Sequence, residues 1–271
     1  MIISNVQEAF LGVLVLFLVL VARYGVMSGL AYVVFFKWKP RFFAHRRIQE
    51  KPPAKKRMRA EFFYSMSSLA IFGMSGIAIG FLNYLGYTQM YLEIAEYGWG
   101  YFVLSFFILI LAHDTYFYWS HRFMHLKPIY KRVHRIHHLS TNPSPWAAFS
   151  FHSLEAIIET GIVPIMVFAM PLHPIILLVF ATYSLALNIM GHLGYEIFPR
   201  GFTKGIFWWH NTSTHHNLHH QKFNCNYSLY FNWWDRIMGT NISTYHEEFD
   251  RITSRPKQKK EKKELVPALN T

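Results

Sequence analysis

The chain has 271 residues, of which 27 are Lys or Arg and 15 are Asp or Glu, a formal balance of +12. Only 15% of its residues are charged and 52% are apolar, with 25 Phe, 16 Tyr and 8 Trp; soluble domains carry about a quarter charged residues, so this composition excludes a disordered chain and weighs against a cytosolic globule. The single cysteine, Cys225, excludes an intrachain disulfide and any CxxC metal or redox site, leaving His or carboxylate to hold a metal.

Along the chain, the first apolar run covers residues 9–36 and contains one charge, Arg23. At ~1.5 Å per residue it exceeds a hydrocarbon layer of ~30 Å and can span once with tilt. Residues 1–7 carry no Lys or Arg, Glu8 precedes the run, and no small-residue cleavage pattern follows, which argues against a cleaved leader. Residues 37–59 then hold ten basic side chains and one acid. A second apolar run, 62–85, is uncharged and contains Gly76 and Gly80 as a GxxxG, a weak signal for a homodimer or for close helix packing. The third, 99–112, continues into TYFYW. The fourth, 156–189, is too long for one crossing and is interrupted by Pro171 and Pro174, which predicts a helical hairpin turning at PLHP. Residues 251–264 are again basic, and a disordered, lipid-facing tail is expected after Arg255.

Basic residues beside long apolar runs point to membrane topology rather than to nucleic acid. Of the 27 Lys and Arg, 26 fall in loops on one predicted side, Arg23 being the exception. The positive-inside rule makes that side, with the C-terminus, cytoplasmic. The expected fold is therefore an all-α, multi-pass integral membrane protein with about four transmembrane helices and a cytosolic histidine-rich helical cap. It divides into an N-terminal span and basic loop (1–60), a transmembrane region (61–107), a histidine-bearing unit (108–243) and a basic tail (244–271) that is expected to be disordered.

Nine of the 16 His lie in two short windows. HRFMH sets His121 and His125 four apart, on one helical face. HRIHH sets His134, His137 and His138 at i, i+3 and i+4, and HNLHH repeats that spacing with His216, His219 and His220. A wet amphipathic helix accounts for one such run, not for three on the same predicted side. Eight imidazoles brought together repel when protonated, and a cation that keeps them neutral removes the conflict. One ion takes about four such ligands, so two metals are implied. Imidazole suits Zn, Cu, Fe and Ni alike, and zinc can occupy such a site in place of iron. No HExxH is present.

The segments HDTYFYWSHRFMH, YKRVHRIHHLSTNPSPW, FHSLEA, GHLGYE, THHNLHH, NYS and WWDRIMGT, in that order over residues 108–240, resemble the fatty acid hydroxylase and sterol desaturase superfamily. The resemblance covers about half the chain and departs at Ser153, where the family often has proline. It implies a membrane-bound di-iron oxidoreductase that hydroxylates or desaturates a lipid C–H bond (fatty acyl, sterol or isoprenoid). Its needs would be two Fe ions, O2 and electrons from a separate ferredoxin or b-type cytochrome with its reductase. The eight histidines above match the family's boxes, and His192 in GHLGYE matches a further ligand. The membrane would be the plasma membrane in a bacterium or the endoplasmic reticulum in a eukaryote.

His152 and His215 are additional ligand candidates. Asp114, seven residues before His121 and so on its helical face, is the candidate catalytic carboxylate, able to accept the second ring N–H of a ligating histidine. Glu155, Glu159, Glu196 and Asp235 compete for the same role. His45, His173, His210 and His246 have no partner at ligand spacing and are expected in loops. Two other readings, a His-lined metal transporter and an inactive lipid-binding relative, are weighed against the enzyme. The first requires ionisable residues within the spans and repeated halves; the histidines lie outside the apolar runs and no repeat is visible. Intact boxes argue against the second.

Overall fold

The computed structural model describes residues 6–257, which are helical with isolated β-bridges and no strand among them. α1 (Val6–Tyr32) is a proline-free run of Leu, Val and Phe whose end loosens into a π-helix, Val33–Trp38, before Pro40 stops it. α2 (Lys55–Tyr84) begins after the Pro52–Pro53 pair and ends before Gly86, whose φ of 77° is open to glycine. α3 (Gly98–Met124) carries the first histidine run at its C-terminus. α4 (Arg135–His138) is a single turn. It is followed by α5 (Ser153–Thr160), α6 (Ile162–Ala169) and α7 (Pro174–Gly191), then by α8 (Ser213–Lys222) and α9 (Tyr245–Thr253).

Among the described residues, four stretches are long and apolar enough to cross a membrane: Leu14–Trp38, Lys55–Tyr84, Gly98–Met124 and Pro174–Gly191. Their outer faces present Leu18, Met74, Phe107 and Leu178 to the surroundings, the pattern of helices whose solvent is hydrocarbon. The predicted hairpin turns at residues 170–173 as its prolines require, with Pro174 opening α7 and the His173 ring accepting the Ile175 N–H. Its first arm is split at Gly161. A Cβ there would lie 2.6 Å from the Tyr116 hydroxyl, which donates to the Ile158 carbonyl, so α5 and α6 meet α3 too closely for a larger residue.

The two ends of the bundle are knit by different loops. At one end residues 86–97 bond to the last turn of α6 and to the hairpin turn, through Gln89 N–H to Val167 O and Tyr91 N–H to Leu172 O. At the other the basic segment after α1 bonds to the chain around the histidine runs: Ile48 N–H to Gly194 O, Glu196 N–H to Arg46 O, and the Asn142 amide to Lys51 O. The basic loop and all three histidine runs thus share one end. Gly76 packs against Leu16 of α1, where a Cβ would come within 3.0 Å, and Gly80 has open space, so the GxxxG serves contact within the chain at Gly76.

The expected disordered tail from residue 244 is corrected over its first part. α9 buries Tyr245, Phe249 and Ile252 completely, the first two clustered with Leu218 of α8. Those three residues form an i, i+4, i+7 stripe that the surrounding charges conceal in a composition count. Residues 258–271, the remainder of that tail, lie outside the described residues.

Candidate metal centre

Nine imidazoles converge where α3, α4, α7 and α8 end together. His121, His125, His134, His138 and His219 bring one ring nitrogen each within 4.8 Å of one another, and His137, His192, His216 and His220 do the same. The helical spacing decides the division. In each HxxHH run the i and i+4 rings share a face and enter one group, while the i+3 ring turns into the other. His134 and His138 join His121 and His125 with His219 crossing over, and His216 and His220 join His192 with His137 crossing over. The adjacent pair His137 and His138 bridges the two groups, as do His219 and His220.

The protons on these rings show that the groups fit cations. His121 Nδ1 donates to Tyr227 O at 2.7 Å, His134 Nδ1 to Glu155 Oε1 at 2.7 Å, His192 Nδ1 to Asn188 O at 2.8 Å and His219 Nδ1 to Cys225 O at 2.7 Å. A carbonyl oxygen can only accept, so the rings of His121, His192 and His219 carry their proton on Nδ1 and present a bare Nε2 lone pair, and His134 does the same opposite Glu155 in its carboxylate form. Yet Nε2 of His121 faces Nε2 of His134 at 3.0 Å, and Nε2 of His192 faces Nε2 of His137 at 3.3 Å, where the His137 Nδ1 points at Ser150 O. Facing lone pairs repel unless a positive centre lies between them. Nitrogens bound at ~2.1 Å to one ion lie ~3.0 to 3.4 Å apart, the separation seen here.

Burial reinforces this. The rings of His134, His137, His138, His216, His219 and His220 are held well below the ordinary imidazole range, first by desolvation and then by the neighbouring rings. Such rings are neutral when folded and take up protons only when exposed, so the unfolded chain binds more protons below pH ~6.5. Stability is therefore complete above that value and lost as pH falls through it. Metal-free protein in detergent is expected to melt at least about 5 °C lower at pH 5.5 than at pH 7.5, since each such ring costs about 1.4 kcal/mol per pH unit. A melting temperature flat across this range would contradict it.

Among the predicted carboxylates, Glu155 is the one that meets a histidine of the groups. It is fully buried on α5 and fixes the His134 ring. The role predicted for Asp114 is corrected: its Oδ1 accepts the Tyr230 and Phe231 amides and touches no imidazole, because the returning loop 228–232 reaches that face of α3 first. Glu196 accepts from Thr214 and Phe198, and Asp235 accepts the Tyr227 and Ser228 amides; both brace loops. Glu159 lines an apolar cavity described below.

His152 and His215 are not brought to either group. His152 caps α5, its Nδ1 accepting the Leu154 N–H. His215 turns about 100° away from His216 around α8 and packs edge-on to Tyr245, with Nε2 3.6 Å from Asp235 Oδ2. His45, His173, His210 and His246 also stand outside both groups. The carbonyls of Tyr227, Cys225 and Ser150 were invisible to residue-type reasoning. For Tyr227 and Cys225 the one signal is the NYS segment, where Asn226 between them adopts a left-handed φ of 57°.

Directly beneath the histidines lies a cavity of about 190 Å³, walled by α1, α2, α3, α5, α6 and α7. Phe117, one turn before His121, Phe151, against His137, and Asn188, one turn before His192, form its roof. Most of the remaining wall is apolar, with Phe72, Ile79, Phe149, Ile162 and Phe180. Arg23, the lone charge of the first apolar run, also lines it, with a buried Nε that has no partner among the described residues. An ionisable side chain inside an apolar spanning stretch is uncommon, and this one is directed to the cavity.

Residues 106–240 match the fatty acid hydroxylase family. The chain is 28% identical over 225 residues to a Delta(7)-sterol 5(6)-desaturase of Gibberella zeae, covering 83% of this chain and 68% of that protein. It is 30% identical over 200 residues to the lathosterol oxidase of Homo sapiens, covering 73% of this chain and 66% of the relative. To a C-4 methylsterol oxidase of Schizosaccharomyces pombe it is 32% identical over 145 residues, 52% of this chain and 47% of the relative. The chain thus spans about two thirds of the length of the first two relatives. No solved structure matches it. The matched stretch contains every histidine of the two groups, and the chain belongs to the fatty acid hydroxylase family.

Proposed function

We propose that this chain is a membrane-embedded oxidoreductase that holds two iron ions, one in each histidine group, and uses O2 with external electrons to hydroxylate or desaturate a lipid C–H bond. The observation that carries this is the pairing of bare Nε2 atoms in two adjacent groups directly over an apolar cavity. Bound iron supplies the O2 activation that no protein side chain provides. The relatives' names specify sterol substrates, and a sterol or another lipid of that kind is the substrate class proposed.

The chain's own residues do the rest. Neutral His rings leave each group without ligand charge, and Glu155 through His134 adds one carboxylate to the five-nitrogen group alone. The backbone carbonyls of Tyr227, Cys225 and Asn188 fix ring tautomers, so no ligand must change protonation before the metal enters. Phe117 and Phe151 keep water from the side on which the lipid approaches. Arg23 offers a donor to an oxygen on the lipid. Residues 108–243 are the catalytic unit in this reading, and the shared basic end of the bundle faces the cytoplasm.

Metal analysis of the purified chain and lipid mass spectrometry of cells with and without it form the test. Two irons per chain and an O2-dependent lipid gaining about 16 mass units indicate hydroxylation, and a loss of about 2 indicates desaturation. Unchanged lipids with metal moving across vesicles would end this reading. Glu155→Ala is expected to weaken iron binding or turnover by about 10- to 100-fold, with Glu155→Gln intermediate because its amide oxygen still accepts from His134. Equal iron retention under chelator challenge in all three proteins would remove Glu155 from the site.

A further inference from the structure

A groove of about 800 Å³ opens on the outer side of the five-histidine group, away from the lipid cavity. Lys127, Lys131 and Arg132 form its rim; all three are exposed, none is in an ion pair among the described residues, and no carboxylate lines it. On the floor lies His125, the one histidine of the nine that is not fully buried. Tyr130 and Tyr227 pack on its ring at 5.5 and 5.1 Å between centroids, and Phe223 packs on His138 at 5.0 Å. Phe223 closes α8 with a φ of 69°, a left-handed conformation uncommon for a bulky side chain and found where the surroundings over-determine it. The strain holds an aromatic ring between the groove and the metal-binding nitrogens.

Resting on the proposed function, the electron count asks for such a surface. Hydroxylation is R–H + O2 + 2 e⁻ + 2 H⁺ → R–OH + H2O, and desaturation removes two hydrogens while giving two waters for the same two electrons. The C–H bond supplies half of what O2 takes up, and a second reductant supplies the rest. Cys225, the sole thiol, cannot form a dithiol couple within the chain. We propose that this groove is the docking surface for an acidic one-electron carrier protein, bearing haem or an iron–sulfur cluster, which delivers the two electrons singly through the His125, Tyr130 and Phe223 floor. An unopposed cationic rim around a partly exposed ligand ring gives such a partner both orientation and a short path. Anionic headgroups have a better site elsewhere: Lys37, Lys55 and Arg59 surround exposed Phe62 and Phe63 where two spanning helices begin and end.

The test uses full-length, iron-loaded protein in lipid nanodiscs with its lipid substrate. Reduced ferredoxin and a reduced b-type cytochrome are supplied as carriers, and dithionite as a small reductant. The ratio of carrier-driven to dithionite-driven turnover is expected to fall by about tenfold or more in the Lys127→Glu, Lys131→Glu, Arg132→Glu triple variant, for at least one carrier. The wild-type ratio should also fall as salt rises, while the variant's ratio stays flat. An unchanged ratio in the variant overturns the docking surface while leaving the proposed function intact. So does dithionite turnover with neither carrier oxidised, or a variant that loses only its binding to anionic vesicles. No turnover with any reductant overturns the proposed function, and this inference with it.

Discussion

Replacing His137 with alanine is expected to cut the iron content from two ions per chain to one and to lower turnover by about a thousandfold or more, since metal assistance contributes several kcal/mol. His137 is one of four nitrogens in its group, and its removal leaves His192, His216 and His220, while the other group keeps all five of its rings. The loss is therefore selective, and stoichiometry reads it independently of activity. His137 lies on the single turn α4, outside the four spanning stretches, so helix content measured by circular dichroism should stay unchanged. His152→Ala and His45→Ala are the matched controls, because neither ring joins a group, and both should retain two irons. A His137→Ala protein with two ions and full turnover would dissolve the four-histidine site.

The ease with which this centre is read from sequence has a local cause. An i, i+4 pair projects from one face whatever the rest of the chain does, so HRFMH, HRIHH and HNLHH advertise their geometry without tertiary information. The crossing of His137 and His219 between groups is written in the same spacing, but it becomes legible only when two HxxHH turns face each other. His192 has no spacing partner; the family likeness of GHLGYE pointed to it, and the end of α7 carries it between His137 and His216. Asp114 shows the opposite case. Its helical register with His121 was real, yet a loop more than a hundred residues later took its carboxylate. Backbone carbonyls took over most of the ring-orienting work, and a carbonyl has no residue type to notice. The four apolar spans were legible because each is a continuous apolar stretch near or above the length of a bilayer crossing, whereas the close approach of Tyr116 to Gly161 depends on how α3 meets α5 and α6.

Filling the lipid cavity should separate substrate entry from metal chemistry. Ala181 lies on the α7 wall beside Phe180 and Ser184, and a tryptophan there would occupy much of the roughly 190 Å³ beneath Phe117 and Asn188. Ala181→Trp is expected to lower lipid turnover by about a hundredfold or more, because even small displacement of a reacting carbon costs that much. Both histidine groups stand above the altered wall, so iron content should remain two per chain. Reduction of the bound iron by dithionite should also proceed at the wild-type rate, because the groove over His125 opens on a different side. Phe180→Ala tests the converse: a larger chamber should admit a bulkier lipid and place the natural one less well. The two substitutions should therefore shift substrate preference in opposite directions. Full activity of Ala181→Trp toward the native lipid would mean that the substrate reaches the irons by another path, and the basic groove is then the remaining opening beside the metal-binding rings.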